Sequence, residues 1–403
     1  METRTTETRS RGQVRSLTGM GATVLGLHVA GWGAVFAWLL PAQAAAGANA
    51  GVLLGLTVGA YALGVRHAFD ADHIAAIDNA TRQFLTRGRT TVTTGFWFAL
   101  GHSSVVVASV ALLALGVETF TKGLAEEDST LRQAAGIWGG TVSGLFLLTA
   151  GALNLPALRS LHRLRRTTGG GPVDEHQFHT HLNRRGVLHR VLHPLTRTVD
   201  RPVKMYPVGF LFGLGLDTAA SISLFVLAGT LAPSLPWYAA MVLPVLFTAG
   251  MTAFDSADGL MMARIYSRAT GDARRSLDYN IIVTGVSVVI AFLIGGTGLL
   301  SVTAELVQPT GGFLEAVTAV DLNFLGIAVI AFFALAWMIA AAARTDEPSG
   351  SPPAPWRTAT ATSGSPPSWT PRDARGQDRS ARLRRDPRTT SELTMHDERQ
   401  GAR

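Results

Sequence analysis

Apolar residues run along this chain in long blocks, each about 20 residues, separated by polar stretches; neither the alternation of strands nor the single stripe of a surface helix recurs. A helix of about 18 to 25 mostly apolar residues crosses a hydrocarbon core of about 30 Å. Eight such blocks occur, near residues 19–40, 51–79, 92–117, 134–155, 205–232, 237–262, 279–302 and 321–343. The expected fold class is all-α: a polytopic integral membrane protein with eight transmembrane helices over 19–343, after a short N-terminal segment, 1–18. The first block is long and its flanks lead into further spans, so it reads as a retained helix rather than a cleaved signal peptide. Residues 157–204 lack sustained periodicity and are expected to form a long His- and Arg-rich loop. Residues 344–403, rich in Pro, Ser, Thr, Arg and Asp, are expected to be a disordered tail.

Loop charges orient the blocks, because Lys and Arg close to a span mark the cytoplasmic side. Arg4, Arg9, Arg11 and Arg15 precede the first block; Arg82, Arg87 and Arg89 follow the second; Arg159, Arg163, Arg165, Arg166, Arg184, Arg185 and Arg190 follow the fourth; Arg264, Arg268, Arg274 and Arg275 follow the sixth. The opposite loops carry Glu118, Glu126, Glu127 and Asp128 after the third block, and Glu305 and Glu315 after the seventh. This alternation agrees with eight spans and both termini in the cytoplasm.

Composition supports the membrane reading: 16% of residues are charged, against roughly 25% in soluble domains, and the mean hydropathy is +0.25. The net charge of +7 and pI near 10.4 do not point to nucleic acid, since the basic residues are scattered over loops and tails rather than gathered on a folded basic domain. There is no cysteine, so disulfides and thiolate metal sites are excluded, and any metal must be held by nitrogen and oxygen.

The chemistry lies in polar residues placed inside the blocks, where each ionisable group costs about 2.5 to 3.5 kcal/mol on insertion scales and therefore tends to line a pathway or site. The second block ends in RHAFDADHIAAIDNATR, from Arg66 to Arg82. The third contains FALGHSSVVV, with His102, Ser103 and Ser104; the fifth GLGLDTAASIS, with Asp217 and Thr218; the sixth TAGMTAFDSADGLMM, with Asp255, Ser256 and Asp258. Singly these have ordinary explanations: His28 reads as a hydrogen-bonded packing residue, and Asp70, Asp72 and Asp78 could pair with Arg66 and Arg82. Together, His67, His73, His102, Asp70, Asp72, Asp217, Asp255 and Asp258 form a nitrogen and oxygen set suited to a divalent transition metal. In the eight-span topology all four clusters fall in the cytoplasmic half of the membrane.

Geometry restricts this set. On a regular helix His67 and His73 are separated by about 9 Å along the axis and about 240° around it, too far for both imidazoles to reach one small ion. Either the second span is bent or unwound around Asp70 to His73, as in the broken helices of many transporters, or one histidine is not a ligand. Gly64, just before the motif, gives the backbone room.

These residues resemble the nickel/cobalt transporters of the NiCoT type. That family's second-span signature, His, four residues, then Asp-His within RHAxDADHI, is matched by Arg66 to Ile74; its third-span LGHS by Leu100 to Ser103; and its sixth-span GMxxxDTxDG by GMTAFDSADG, with Ser256 for Thr. The fifth-span LGFDTATE is met in part by LGLDTAAS, with Ala220 and Ser221 where Thr and Glu are expected. The resemblance spans about residues 20–343. It implies secondary uptake of Ni2+ or Co2+ as transported substrate, with no resident cofactor, with His67, Asp72 and His73 as core recognition residues and His102, Asp217, Asp255 and Asp258 in support. The chain has no GxxxxGK[ST] phosphate loop, so it carries no P-loop ATPase of its own, and no ATPase subunit is implied. An inside-negative potential favours entry of a dication by about 4.6 kcal/mol per 100 mV, a sufficient driving force.

Three other readings stand beside uptake. A related exporter would share the motif, since direction cannot be read from it. An intramembrane metalloenzyme could hold zinc with His and Asp, but the HExxH pattern is absent. A metal-sensing receptor would need a folded output domain that the tail does not suggest. His162, His176, His179, His181, His189 and His193 line the long loop, either as a solvated segment or as a buffer for the emerging ion.

Overall fold

In the computed structural model the apolar blocks are helices, and among the described residues no strand occurs. The structure describes residues 2–45, 49–86, 89, 91–116, 129–168, 199–215, 223–224, 226–227, 237–267, 273–307 and 331. Helix α1 (Glu2–Ala34) continues through a π turn, Val35–Leu39, into α2 (Leu40–Ala45). The π turn has a local cause. Pro41 has no amide hydrogen to give to the carbonyl four residues back, and the ladder widens there, with the Leu40 amide donating to Val35 O.

After α3 (Ala50–His67) and α4 (Ala71–Thr86) come α5 (Thr94–Ala114), α6 (Thr130–Thr168) and α7 (Met205–Gly213). A helical turn, Trp237–Ala240, then leads to α8 (Val242–Ser267), and α9 (Ala273–Val307) follows. Among the described residues six helices are long and apolar enough to cross a membrane: 12–45, 50–67, 94–114, 130–167, 238–264 and 280–307. They coincide with the first to fourth, sixth and seventh expected blocks. Of the fifth block mainly α7 is described, and 321–343 lies almost wholly outside the described residues, as do Asp217, the loop over 169–198 and the tail over 344–403.

Two boundaries differ from expectation. Helix α6 does not end near residue 155 but passes Pro156 and runs to Thr168, so the loop expected from 157 starts later. The reason is packing far away in sequence: Leu161 and Leu164, with Leu158, meet Leu277 and Ile281 of α9, and Arg165 Nε lies 3.1 Å from Asp278 Oδ1. Likewise the second span continues to Thr86. Arg82, expected in a loop, is buried within α4 and donates to Thr284 Oγ1 of α9. On the same helix Asn79 Oδ1 accepts from Asn154 Nδ2 of α6 at 2.8 Å. These bonds tie the polar α4 to the bundle.

Helix α8 is the hub, packing on α1, α3, α4 and α5, while α6 pairs with α9 and α5 with α7. Close approach depends on glycine at several of these crossings. A Cβ on Gly64 would stand 2.1 Å from the Phe247 carbonyl oxygen of α8, and one on Gly101 would stand 1.9 Å from that of Tyr206 on α7. The apolar interior forms two main clusters. One, around Leu53, Ala99, Phe247 and Met251, joins α1, α3, α5 and α8; the other, around Ile77, Phe84, Phe98, Leu147 and Phe212, joins α4, α5, α6 and α7. The polar side chains described next lie where the two meet.

Candidate metal centre

The second span is broken where the histidine geometry requires it. Helix α3 closes with tight backbone bonds, from Phe69 N to Arg66 O and from Asp70 N to His67 O, both 3.0 Å, and α4 opens with Ile74 N to Asp70 O at 3.2 Å. The three-residue turn Ala68–Asp70 thus leaves few backbone groups unpaired while resetting the helical phase. Its effect is large. The His67 and His73 ring centroids, which a straight helix would hold on different faces, are 4.6 Å apart.

The third imidazole comes from α5. His102 lies 4.7 Å from His67 and 4.8 Å from His73, and the three rings are mutually inclined by 61°, 61° and 63°. The arrangement is close to threefold. All three rings are buried, His67 at 0%, His73 at 1% and His102 at 5% exposure. Each offers a ring nitrogen within 4.8 Å of the others, and the His67 and His102 Nε2 atoms are 2.8 Å apart. With metal–nitrogen bonds of about 2.1 Å, two imidazoles on one ion place their nitrogens about 2.9 to 3.4 Å apart. One pair, at 2.8 Å, is already close to that spacing, and the third nitrogen, within 4.8 Å of the others, must move by at most about 1.9 Å.

Carboxylates stand behind the rings. His67 Nδ1 is 2.6 Å from Asp70 Oδ2; with Nδ1–H donating to the carboxylate, the Nε2 lone pair faces His102 Nε2, 2.8 Å away, and a carboxylate behind the ring is the arrangement that orients metal-binding imidazoles. His73 Nδ1 faces Asp255 Oδ2 at 3.6 Å, a charge contact rather than a hydrogen bond. Asp255 is fully buried, and neither of its oxygens, nor His102 Nδ1, has a hydrogen-bond partner among the described residues. Unsatisfied polar atoms in so dry a place cost free energy, which a bound cation would offset.

The sequence-derived set is therefore only partly brought together. His67, His73 and His102 converge, and Asp70 and Asp255 back them. Asp72 is engaged at the start of α4, where Oδ1 accepts from the His73 amide at 3.0 Å. Asp258 lines a separate cavity, and Asp217 lies outside the described residues. His28 behaves as a packing residue, with Nδ1 2.8 Å from Val24 O and Nε2 3.2 Å from Tyr61 OH. Sequence reasoning missed the aromatic walls: Phe98 meets His73 nearly perpendicularly at 4.8 Å, and Phe247 tilts against His67 at 5.6 Å. For Phe98 a signal existed, four residues before His102 and hence on the same face of α5.

Comparison with known proteins agrees with this chemistry. The family model of the NicO high-affinity nickel-transport proteins matches residues 53–343. The nickel transporter NicT of Mycobacterium tuberculosis is 44% identical over 80% of this chain and 86% of its own length. The high-affinity nickel transport protein of Cupriavidus necator is 40% identical over 72% and 82%, and the cobalt transport protein NhlF of Rhodococcus rhodochrous is 39% identical over 81% and 92%. No solved structure matches the chain significantly. Matched over most of its length to transport proteins rather than enzymes, and built of several helices able to span a membrane, the chain belongs to the high-affinity nickel-transport family.

Proposed function

We propose that the protein is a secondary transporter that carries Ni2+ or Co2+ through the cytoplasmic membrane into the cell, across eight spans with both termini inside. One observation carries the recognition step: three buried imidazoles from two different spans offer nitrogens within 4.8 Å of one another. Neutral imidazole suits nickel and cobalt. In this reading His67, His73 and His102 hold the ion, Asp70 orients His67, and Asp255 balances charge beside His73. Asp72 sets the start of α4, and Asp217 contributes from the fifth span. The membrane potential supplies the driving force.

Radiolabelled nickel accumulation in cells tests the reading. Expression of the protein should raise cell-associated nickel, with unlabelled Co2+ competing better than Mn2+. The His67→Ala variant should reach the membrane at normal level and abolish accumulation. Lowered cell-associated metal on expression would establish export instead, and normal uptake by His67→Ala would refute the imidazole site. Ser221→Glu, which restores the carboxylate of the family pattern, should shift the order of competition.

A further inference from the structure

Met251 of α8 is fully buried in the apolar cluster with Leu53, Ala99 and Phe247, and burial alone would make it a filler of the core. Its place on the helix says more. Phe247 and Asp255 lie four residues to either side of it and so share its face of α8. Phe247 tilts against the His67 ring and Asp255 faces His73, while those two rings are 4.6 Å apart. The stretch of α8 between the two contacts is therefore the wall beside the imidazoles, and Met251 is in the middle of it. The sulfur is also held in place: Ser103, buried and next in sequence to His102, directs its hydroxyl at Met251 Sδ at 3.5 Å.

A repeat within the chain singles out the same position independently. YALGVRHAFDAD, from Tyr61 to Asp72, and YPVGFLFGLGLD, from Tyr206 to Asp217, share Tyr, Gly and Asp at the same spacing; FALGHSS from Phe98 and FTAGMTA from Phe247 share Phe and Gly. The contacts repeat as well. A Cβ on Gly64 would run into the Phe247 carbonyl oxygen and one on Gly250 into that of Tyr61; equally, a Cβ on Gly209 would run into the Phe98 carbonyl oxygen and one on Gly101 into that of Tyr206. In this correspondence Phe247 matches Phe98, and each packs on one imidazole, His67 and His73 respectively. Met251 then holds the place of His102. In the eight-span topology the second and fifth spans run in opposite directions, and transporters built from such inverted repeats hold their substrate at the interface of the two halves.

We infer that Met251 supplies a fourth contact to the ion, its thioether sulfur closing the imidazole site from α8 and biasing it against hard dications such as Mn2+, which prefer oxygen. The inference rests on the imidazole reading, but the two can fail separately. The chain has no cysteine, so any sulfur at bonding distance from a bound metal belongs to methionine. Full-length protein in detergent is loaded with Ni2+ and measured by X-ray absorption at the nickel edge, with Ni2+ and Mn2+ affinities taken by equilibrium dialysis. Wild type should show a sulfur shell beside imidazole nitrogen. Met251→Leu, a volume-conserving change that cores tolerate, should lose the sulfur and keep the nitrogen. Its Ni2+ affinity should fall about 10-fold, the lower end of the cost of losing a supporting group at a metal site, with Mn2+ binding unmoved. No sulfur shell in wild type, a sulfur shell kept by Met251→Leu, or an unchanged preference for Ni2+ over Mn2+ in that variant would each overturn the role of Met251. Wild-type nickel without imidazole scattering would instead overturn the imidazole site. If Met251→Leu is not recovered from membranes, Ser103→Ala decides: freed of the hydroxyl that holds it, the sulfur shell should weaken while the nitrogen shell stays, and an undiminished sulfur shell overturns the assignment.

Discussion

The crossing of α3 and α8 at Gly64 can be tested with one methyl group. A Cβ there falls 2.1 Å from the Phe247 carbonyl oxygen, 2.7 Å from its carbon and 2.8 Å from its Cα. All three neighbours are main chain, so no side chain can swing away. A carbon and a carbonyl oxygen settle at about 3.3 Å or more, so Gly64→Ala forces the helices apart by roughly 1.2 Å. Overpacking of this kind costs about 1 to 3 kcal/mol. It also acts on function, because His67 is one helical turn onward and its Nε2 lies only 2.8 Å from that of His102. The control is Gly55→Ala on the same helix, where a Cβ meets nothing within 4 Å; an exposed helical Gly→Ala is expected to be neutral or stabilising by up to about 1 kcal/mol. Thermal unfolding in detergent and labelled nickel uptake at equal membrane abundance are measured for both variants. Gly64→Ala should unfold earlier and transport less. If it matches Gly55→Ala in both measurements, the claim that this crossing sets the ligand geometry is wrong.

Other expectations are more local. Asp70→Asn removes the negative partner of His67 Nδ1 and should weaken metal affinity by about 10- to 100-fold, read as a rise in the nickel concentration at half-maximal uptake, with little loss of stability. Leu161→Ala, in the paired extensions of α6 and α9, should cost about 2 to 5 kcal/mol of stability yet leave nickel affinity unchanged in the protein that remains folded. Arg165→Ala nearby removes a partly exposed ion pair worth no more than about 1 kcal/mol, and thermal unfolding should barely register it. A nitrogen that holds a metal cannot hold a proton, so Co2+ binding to the imidazoles should weaken as pH falls and release protons as it forms, which a pH-indicator titration detects.

Much of the fold was legible because a membrane makes strong demands on sequence. Six of the eight apolar blocks coincide with helices able to span it. The break in the second span was legible as one of two alternatives: two imidazoles six residues apart cannot serve one ion from a straight helix, so either the helix breaks or one histidine is not a ligand, and the turn over Ala68–Asp70 is the break. What local sequence did not reveal depends on partners far along the chain. The continuation of α6 through Pro156 needs Leu277 and Ile281 to pack against, and the burial of Arg82 needs Thr284 opposite. The division of the carboxylates was equally hidden. Asp255 and Asp258 are three residues apart in one motif, yet one faces His73 and the other a cavity.

The broken span has a mechanical meaning. His67 closes α3 and His73 belongs to α4, so an ion bound to both would bridge the turn as a clasp between the two helices. Release of such an ion would then uncouple α3 from α4 at the same moment.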